Sequence, residues 1–224
     1  MTTRHHRLIG LLLFVLAQAA CSPSRYFAGT VPPELALLEP VTYISHVERD
    51  GELVPNDSLS IRSAEMLTRV FTSIGLPVAG IVPVDYWGDD GDLLPYLEQL
   101  PAVDARHLKR SPVPEPIRQL IQEQGHRYGM LVYADGFTRD EINYAKGVAV
   151  GAALGVLGLV LSGGRYANIN IPNKFGSHIF VMVVDAEANQ VVFYNRSTPD
   201  EANPMSEKQL RQQVRKLMNN LLQG

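Results

Sequence analysis

The chain of 224 residues holds one cysteine, Cys21, so no disulfide framework braces it. It also lacks a dominant charge: 20 Lys and Arg face 23 Asp and Glu, leaving no basic field of the kind that draws proteins to phosphate backbones. No Lys/Arg stripe is interleaved with aromatics, and nucleic acid is not an expected partner. A G-x-S-x-G elbow is missing, and His46, His107 and His126 are scattered with no H-x-x-x-H pair; neither a hydrolase elbow nor a zinc site is indicated. No metal, cofactor or catalytic residue is therefore expected. What is present is ordinary globular composition, 46% hydrophobic and 19% charged, enough for one core and one domain.

The first 24 residues, MTTRHHRLIGLLLFVLAQAACSPS, carry Arg4 and Arg7, then an apolar run from Leu8 to Ala17, then small residues before Cys21. The run is too short to span a bilayer and has the form of an export signal. One reading cuts it after Ala17-Gln18-Ala19 and leaves Cys21 a bare thiol. The other follows from a resemblance: the stretch is similar to bacterial lipoprotein signal peptides, with Ala19, Ala20 and Cys21 matching the lipobox and Gln18 standing where Leu is usual. The resemblance implies a signal peptide over 1–20 and a lipid (palmitate) anchor on Cys21. Because Ser22, not Asp, follows the cysteine, it also implies the outer membrane, facing the periplasm.

Residues 21–40 contain Pro23, Pro32, Pro33 and Pro40. Proline lacks the donor that ladders need, so this stretch reads as a tether, with the domain starting at Val41 and running to Gly224. Val41 to Val47 is a strand candidate, closed by a turn at Asp50-Gly51. A helix follows with Ile61, Ala64, Leu67, Val70, Phe71 and Ile74 on one face, ended by Gly75 and Pro77. Pro77 to Val84 reads as a strand whose prolines suggest an edge or a bulge, Pro116 to Gln124 as a helix, and Tyr128 to Asp135 as the central strand. YANINI, residues 166–171, alternates as a strand wet on one side, and Ser177 to Asn195 forms a hairpin. The last helix opens with Ser206 and Gln209 in capping-box spacing and buries Leu210, Val214, Leu217 and Leu221. This order predicts an α/β or α+β fold, a single mixed β-sheet with helices packed on it.

The hairpin FVMVVDAEANQVVFYN resembles the LVD-x-x-T-G-x-V-V-W hairpin of bacterial periplasmic lipoproteins related in outline to the TolB N-terminal, LpoB-like and CsgG-like fold group. Asp185 matches the Asp closing the first strand, Asn189 stands where Gly is usual, and Phe193 or Tyr194 replaces Trp. Asn is the next-best residue for a left-handed turn, so Asn189 is expected at positive φ. The resemblance implies a fold, a compartment and a loose role in envelope assembly; it transfers no catalytic residue.

Between Lys146 and Arg165 the sequence carries no charge, and Gly147, Gly151, Gly155 and Gly158 recur at near-helical spacing. As a helix, its roughly 18 uncharged residues cover about 27 Å, slightly short of a ~30 Å hydrocarbon core. Three uses stay open: a small-residue face packing against another copy or resting on a membrane, a helix buried in its own domain, or a span. The first is the expectation, with Gly147, Gly151, Gly155 and Gly158 as helix-packing positions of a glycine-zipper insert over 146–165.

Two further stretches invite chemistry. Asp85, Asp89, Asp90 and Asp92 crowd a glycine-containing loop beside Tyr86 and Trp87, but the loop lacks the terminal bidentate Glu of a calcium loop and reads as a solvated turn. Ser177 and His178 are neighbours on a strand and so point to opposite faces. The expected function is therefore a non-enzymatic envelope lipoprotein, a binding or assembly accessory at the periplasmic face of the outer membrane. Its partners would be the membrane through Cys21, and either an envelope protein or a second copy. The alternatives are an enzyme with an unrecognised carboxylate site and a membrane-inserting oligomer subunit.

Overall fold

The computed structural model describes residues 25–28, 32–48, 51–83, 94–99, 105, 108, 112–142, 144–146, 148–149, 173–197 and 201–222. In chain order its main elements are β1 (Arg25–Phe27), β2 (Leu35–Leu38), β3 (Val41–Val47), β4 (Leu53–Pro55), α1 (Asp57–Ser73), β5 (Val78–Val82) and α2 (Leu94–Glu98). There follow α3 (Glu115–Glu123), β6 (Tyr128–Arg139), β7 (Phe175–Asp185), β8 (Gln190–Arg196), α4 (Glu207–Leu217) and α5 (Asn219–Leu222). The strands form one mixed sheet in the order β1-β8-β7-β6-β2-β5, with β3 also on β6 and β4 on β3. The fold is α+β, with helices on both faces of that sheet.

Strand periodicity divides the core into two layers. Met130, Val132 and Ala134 of β6, with Ile179, Val181 and Val183 of β7, face α1 and α4, where Leu67, Phe71, Leu210 and Val214 meet them. Leu131, Tyr133, Phe180, Met182 and Val184 face the other way, onto Leu97, Ile117 and Ile121. A sheet covered on both sides buries successive residues of its inner strands, and β7 is accordingly buried on both faces over most of its length and β6 from Gly129 to Ala134. β2 and β3 run one after the other along the same flank of β6. Ala36 and Leu37 pair with Gly129 and Met130, and Val41 to Val47 pair with Tyr133 to Arg139, all parallel.

The tether expected over residues 21–40 is corrected. Arg25 to Phe27 pair antiparallel with Asn195 to Phe193, and Leu35 to Leu38 lie inside the sheet between β5 and β6 with all four side chains buried. Pro33 and Pro40 flank β2 instead of interrupting it, so none of its ladder donors is lost. The domain therefore begins before Val41. The α1 face is also rotated from expectation. Ile61 is 63% exposed while Ser63 and Met66 are buried, and the Ser63 hydroxyl donates to the Pro204 carbonyl at 3.4 Å. Asn56 caps α1, its Oδ1 accepting from the Leu59 N–H at 3.0 Å. The capping box at α4 is not formed: Ser206 makes no side-chain cap bond, and Gln209 Oε1 accepts from the Asn203 N–H at 2.5 Å instead. The strand expected at YANINI lies outside the described residues.

Asn189 has φ +53° in the β7–β8 turn, and its Oδ1 accepts from the Val113 N–H at 2.9 Å, tying the turn to the start of α3. Positive φ alone would make Asn189→Gly harmless, but the second bond changes that. Asn189→Gly is expected to cost about 1 kcal/mol, the worth of the lost bond. Asn189→Val should cost about 2–3 kcal/mol, adding the left-handed penalty of a β-branched residue, and Asn189→Asp should stay near wild type. Urea unfolding of the variants measures this; a glycine variant as stable as wild type would remove the Val113 bond from the account.

Candidate functional site

On the face of the sheet turned toward α2 and α3, the pairing places Tyr43 beside Asp135 and Asp135 opposite His178. One row along, Tyr133 lies opposite Phe180. Side chains two apart share a strand face, so Tyr133 with Asp135 and His178 with Phe180 form a two-by-two block, and β3 adds Tyr43 at its margin. The rings touch in sequence: Tyr43 to Tyr133 at 5.8 Å, Tyr133 to Phe180 at 5.8 Å, and His178 edge-on to Phe180 at 4.6 Å between centroids. From α2, Glu98 Oε1 accepts from the Tyr43 hydroxyl at 2.9 Å. The arc closes with His178 Nδ1 and Asp135 Oδ1 at 3.9 Å, an ion-pair spacing too long for a hydrogen bond.

Charge is tuned by this packing. Burial, then the Glu98 hydrogen bond, pushes the Tyr43 phenol up to about 12, and burial with the nearby charges of Asp135 and Glu98 does the same to Tyr133. Both phenols are O–H donors at neutral pH and neither acts as a base. Asp135 is raised above the ordinary carboxylate value by burial, which the His178 charge opposes. A carboxylate that costs stability in its charged form, at a partly open position, marks a functional candidate. Ser177 is buried on the opposite face from His178, and Gln213 Nε2 donates to its carbonyl at 3.3 Å; the two neighbours are not a nucleophile and its base. The block offers acidic oxygens beside ring faces, a setting for recognising a cationic group, with no attacking atom aligned to a base.

A second ionic feature is structural. Arg127 Nε and an Arg127 terminal nitrogen donate to both Asp185 oxygens at 2.7–3.2 Å, and Asp185 Oδ1 also accepts from the N–H groups of Glu187 and Ala188 at 3.1 and 2.9 Å. It fixes the hairpin turn to the start of β6.

Of the positions singled out in the sequence, Cys21, Gly147, Gly151, Gly155 and Gly158 lie outside the described residues, as do Asp85 to Asp92. Residues 144–146 and 148–149, at the start of the glycine-rich stretch, are helical. Among the described residues no helix is long and apolar enough to cross a membrane, and no group of three or more His, Cys, Asp or Glu is placed to hold a metal ion. The Asp135 block was missed by sequence reasoning. Its i, i+2 spacings were visible, but the register joining Asp135 to His178 was not.

No family model matches the chain, and no curated protein matches it. Among solved structures, a PelC dodecamer from Paraburkholderia phytofirmans is similar at 9% identity and a TM-score of 0.39, covering 88% of this chain and 96% of that one. A likeness this distant carries no argument about function.

Proposed function

We propose that the protein is a non-enzymatic envelope lipoprotein, anchored through a lipid on Cys21 at the periplasmic face of the outer membrane, where its domain acts as a binding or assembly accessory. The observation that carries the reading is the apolar run from Leu8 to Ala17 followed by Ala19, Ala20 and the lone Cys21; the sheet then begins at Arg25, four positions after Cys21. Four residues reach at most about 14 Å, so an acylated Cys21 would hold the domain against the bilayer and not on a long leash. The Asp135 block supports binding over catalysis, because its phenols stay protonated at neutral pH and Ser177 lies on the far face from His178.

Cys21→Ser is expected to move the protein from the membrane pellet to the soluble fraction, since one acyl chain accounts for reversible binding and a lipoprotein carries more than one. Metabolic labelling with a fatty-acid analogue checks the chemistry directly. A wild-type chain that takes up no label sinks the reading.

A further inference from the structure

We infer that the end of the sheet formed by β3, β6 and β7 rests in the interface of the lipid bilayer, so that the domain stands on the membrane through the end bearing Phe137, Ile142, Tyr144, Lys174 and Phe175. This inference rests on the Cys21 anchor proposed above, and it adds an orientation and a contact surface.

Strand direction and chain reach set this orientation. β1 is antiparallel to β8, and β8 is antiparallel to β7, so β1 runs with β7. The chain therefore enters β1 from the end of the sheet at which β7 starts and β6 finishes. Arg25 lies opposite Asn195, Asn195 opposite Val181, and Val181 opposite Val132. From Val132 the strand β6 continues to Arg139, a further seven positions, or about 23 Å at 3.3 Å each. Cys21 reaches at most about 14 Å from Arg25 in the same direction. The strand ends thus extend past the farthest point at which the anchor can hold the bilayer. An upright domain puts them into the interface, by roughly 9 Å along the strand direction.

The residues at that end suit the position. Ile142 is 70% exposed on a helical stretch directly after β6. The Lys174 ammonium lies 5.3 Å from the Phe175 ring centroid and 6.0 Å from that of Tyr144. Aromatic rings beside a long-stemmed lysine are the side chains that accept an apolar body and a polar tip at once. Lys174 is matched there by Glu141 at 3.0 Å, and the Asp140 carboxylate lies 3.5 Å from the His46 ring, so Lys174 is not free to select anionic lipid. Contact made through Ile142 and the aromatic rings does not require anionic lipid.

The test uses the full lipidated chain in phosphatidylethanolamine–phosphatidylglycerol vesicles carrying nitroxide headgroups. Acylation consumes the native thiol, so Ile142→Cys and Glu187→Cys each present one free thiol for a fluorophore. Position 187 lies in the β7–β8 turn at the opposite end of the sheet, and both side chains are exposed. Loss of most of the fluorescence at position 142, with little loss at 187, is expected, and unchanged in phosphatidylethanolamine–phosphatidylcholine vesicles. Equal quenching at both positions, or quenching confined to 187, overturns the orientation while the anchor stands. A wild-type chain without incorporated fatty acid overturns the anchor, and this inference with it.

Discussion

Gly136→Ala is expected to destabilise the domain by about 2–3 kcal/mol, the upper part of the range for forcing extra volume into a packed site. A Cβ built on Gly136 would lie 2.4 Å from the Gly176 carbonyl oxygen on β7 and 3.4 Å from Ile44 Cδ1 on β3. The first neighbour is backbone, so no rotamer change relieves it, and β6 and β7 must separate near the end of their ladder, where Gly136 lies opposite Ser177. Gly129 provides the contrast. Its added Cβ would meet Ile121 Cδ1 and Cγ1 and approach Leu38 Cδ1, all side-chain atoms, so the buried Ile121 can turn or shift at some cost. Gly129→Ala is expected near 1 kcal/mol by the same principle. Domains of this kind are stable by about 5–15 kcal/mol, so Gly136→Ala alone removes a sizeable share. Urea midpoints at a common m-value measure both. A Gly136→Ala protein as stable as wild type would show that the two strands do not approach as closely as the structure has them.

The elements that sequence alone revealed are those with a local signature. β6 announced itself by a continuous apolar run, α3 by Pro116 in its first turn, and the β7–β8 turn by Asn189, observed at φ +53°. β2 was lost because LALL is buried on both faces and has no period-two alternation, while its flanking prolines read as tether. Ile61 and Ser63 exchanged places for a different reason. Burying a serine is acceptable only when its hydroxyl finds an acceptor, and the acceptor is Pro204, far along the chain. The candidate site failed on the same long-range terms: Tyr43 meets Glu98 across 55 positions, and Asp135 meets His178 only through the β6–β7 register. Each strand displays its half of the block as an i, i+2 pair. Only pairing makes the halves one surface.

That surface and the hairpin lock should respond to pH with opposite signs. In Asp185 burial works to raise the pKa, but the Arg127 guanidinium and the Ala188 and Glu187 N–H groups outweigh it and hold the carboxyl below the ordinary value of 3.8. With its folded value depressed, Asp185 contributes stability that is fully present above the ordinary carboxylate range. It is lost as pH falls from there through the folded value, because the unfolded chain binds the proton more readily. Asp185→Ala is expected to cost about 2–3 kcal/mol at pH 7. It leaves two turn N–H groups short of an acceptor, and the half-exposed Arg127 can turn to water, which keeps the loss below that of a fully buried pair. The acid-side slope of stability should shrink in the same variant. Asp135 runs the other way. Burial raises its folded value, only partly opposed by His178, so its contribution is intact below the ordinary carboxylate value and declines as pH rises through the folded one. Asp135→Asn should therefore leave stability at pH 7 equal to wild type or higher, with a steeper fall toward acid. Unfolding free energies of wild type, Asp185→Ala and Asp135→Asn between pH 3 and pH 8 separate the two. If Asp135→Asn is less stable than wild type at pH 7, Asp135 is held by its neighbours for the fold, and the case for the Tyr43, Asp135 and His178 block as a binding surface loses its electrostatic support.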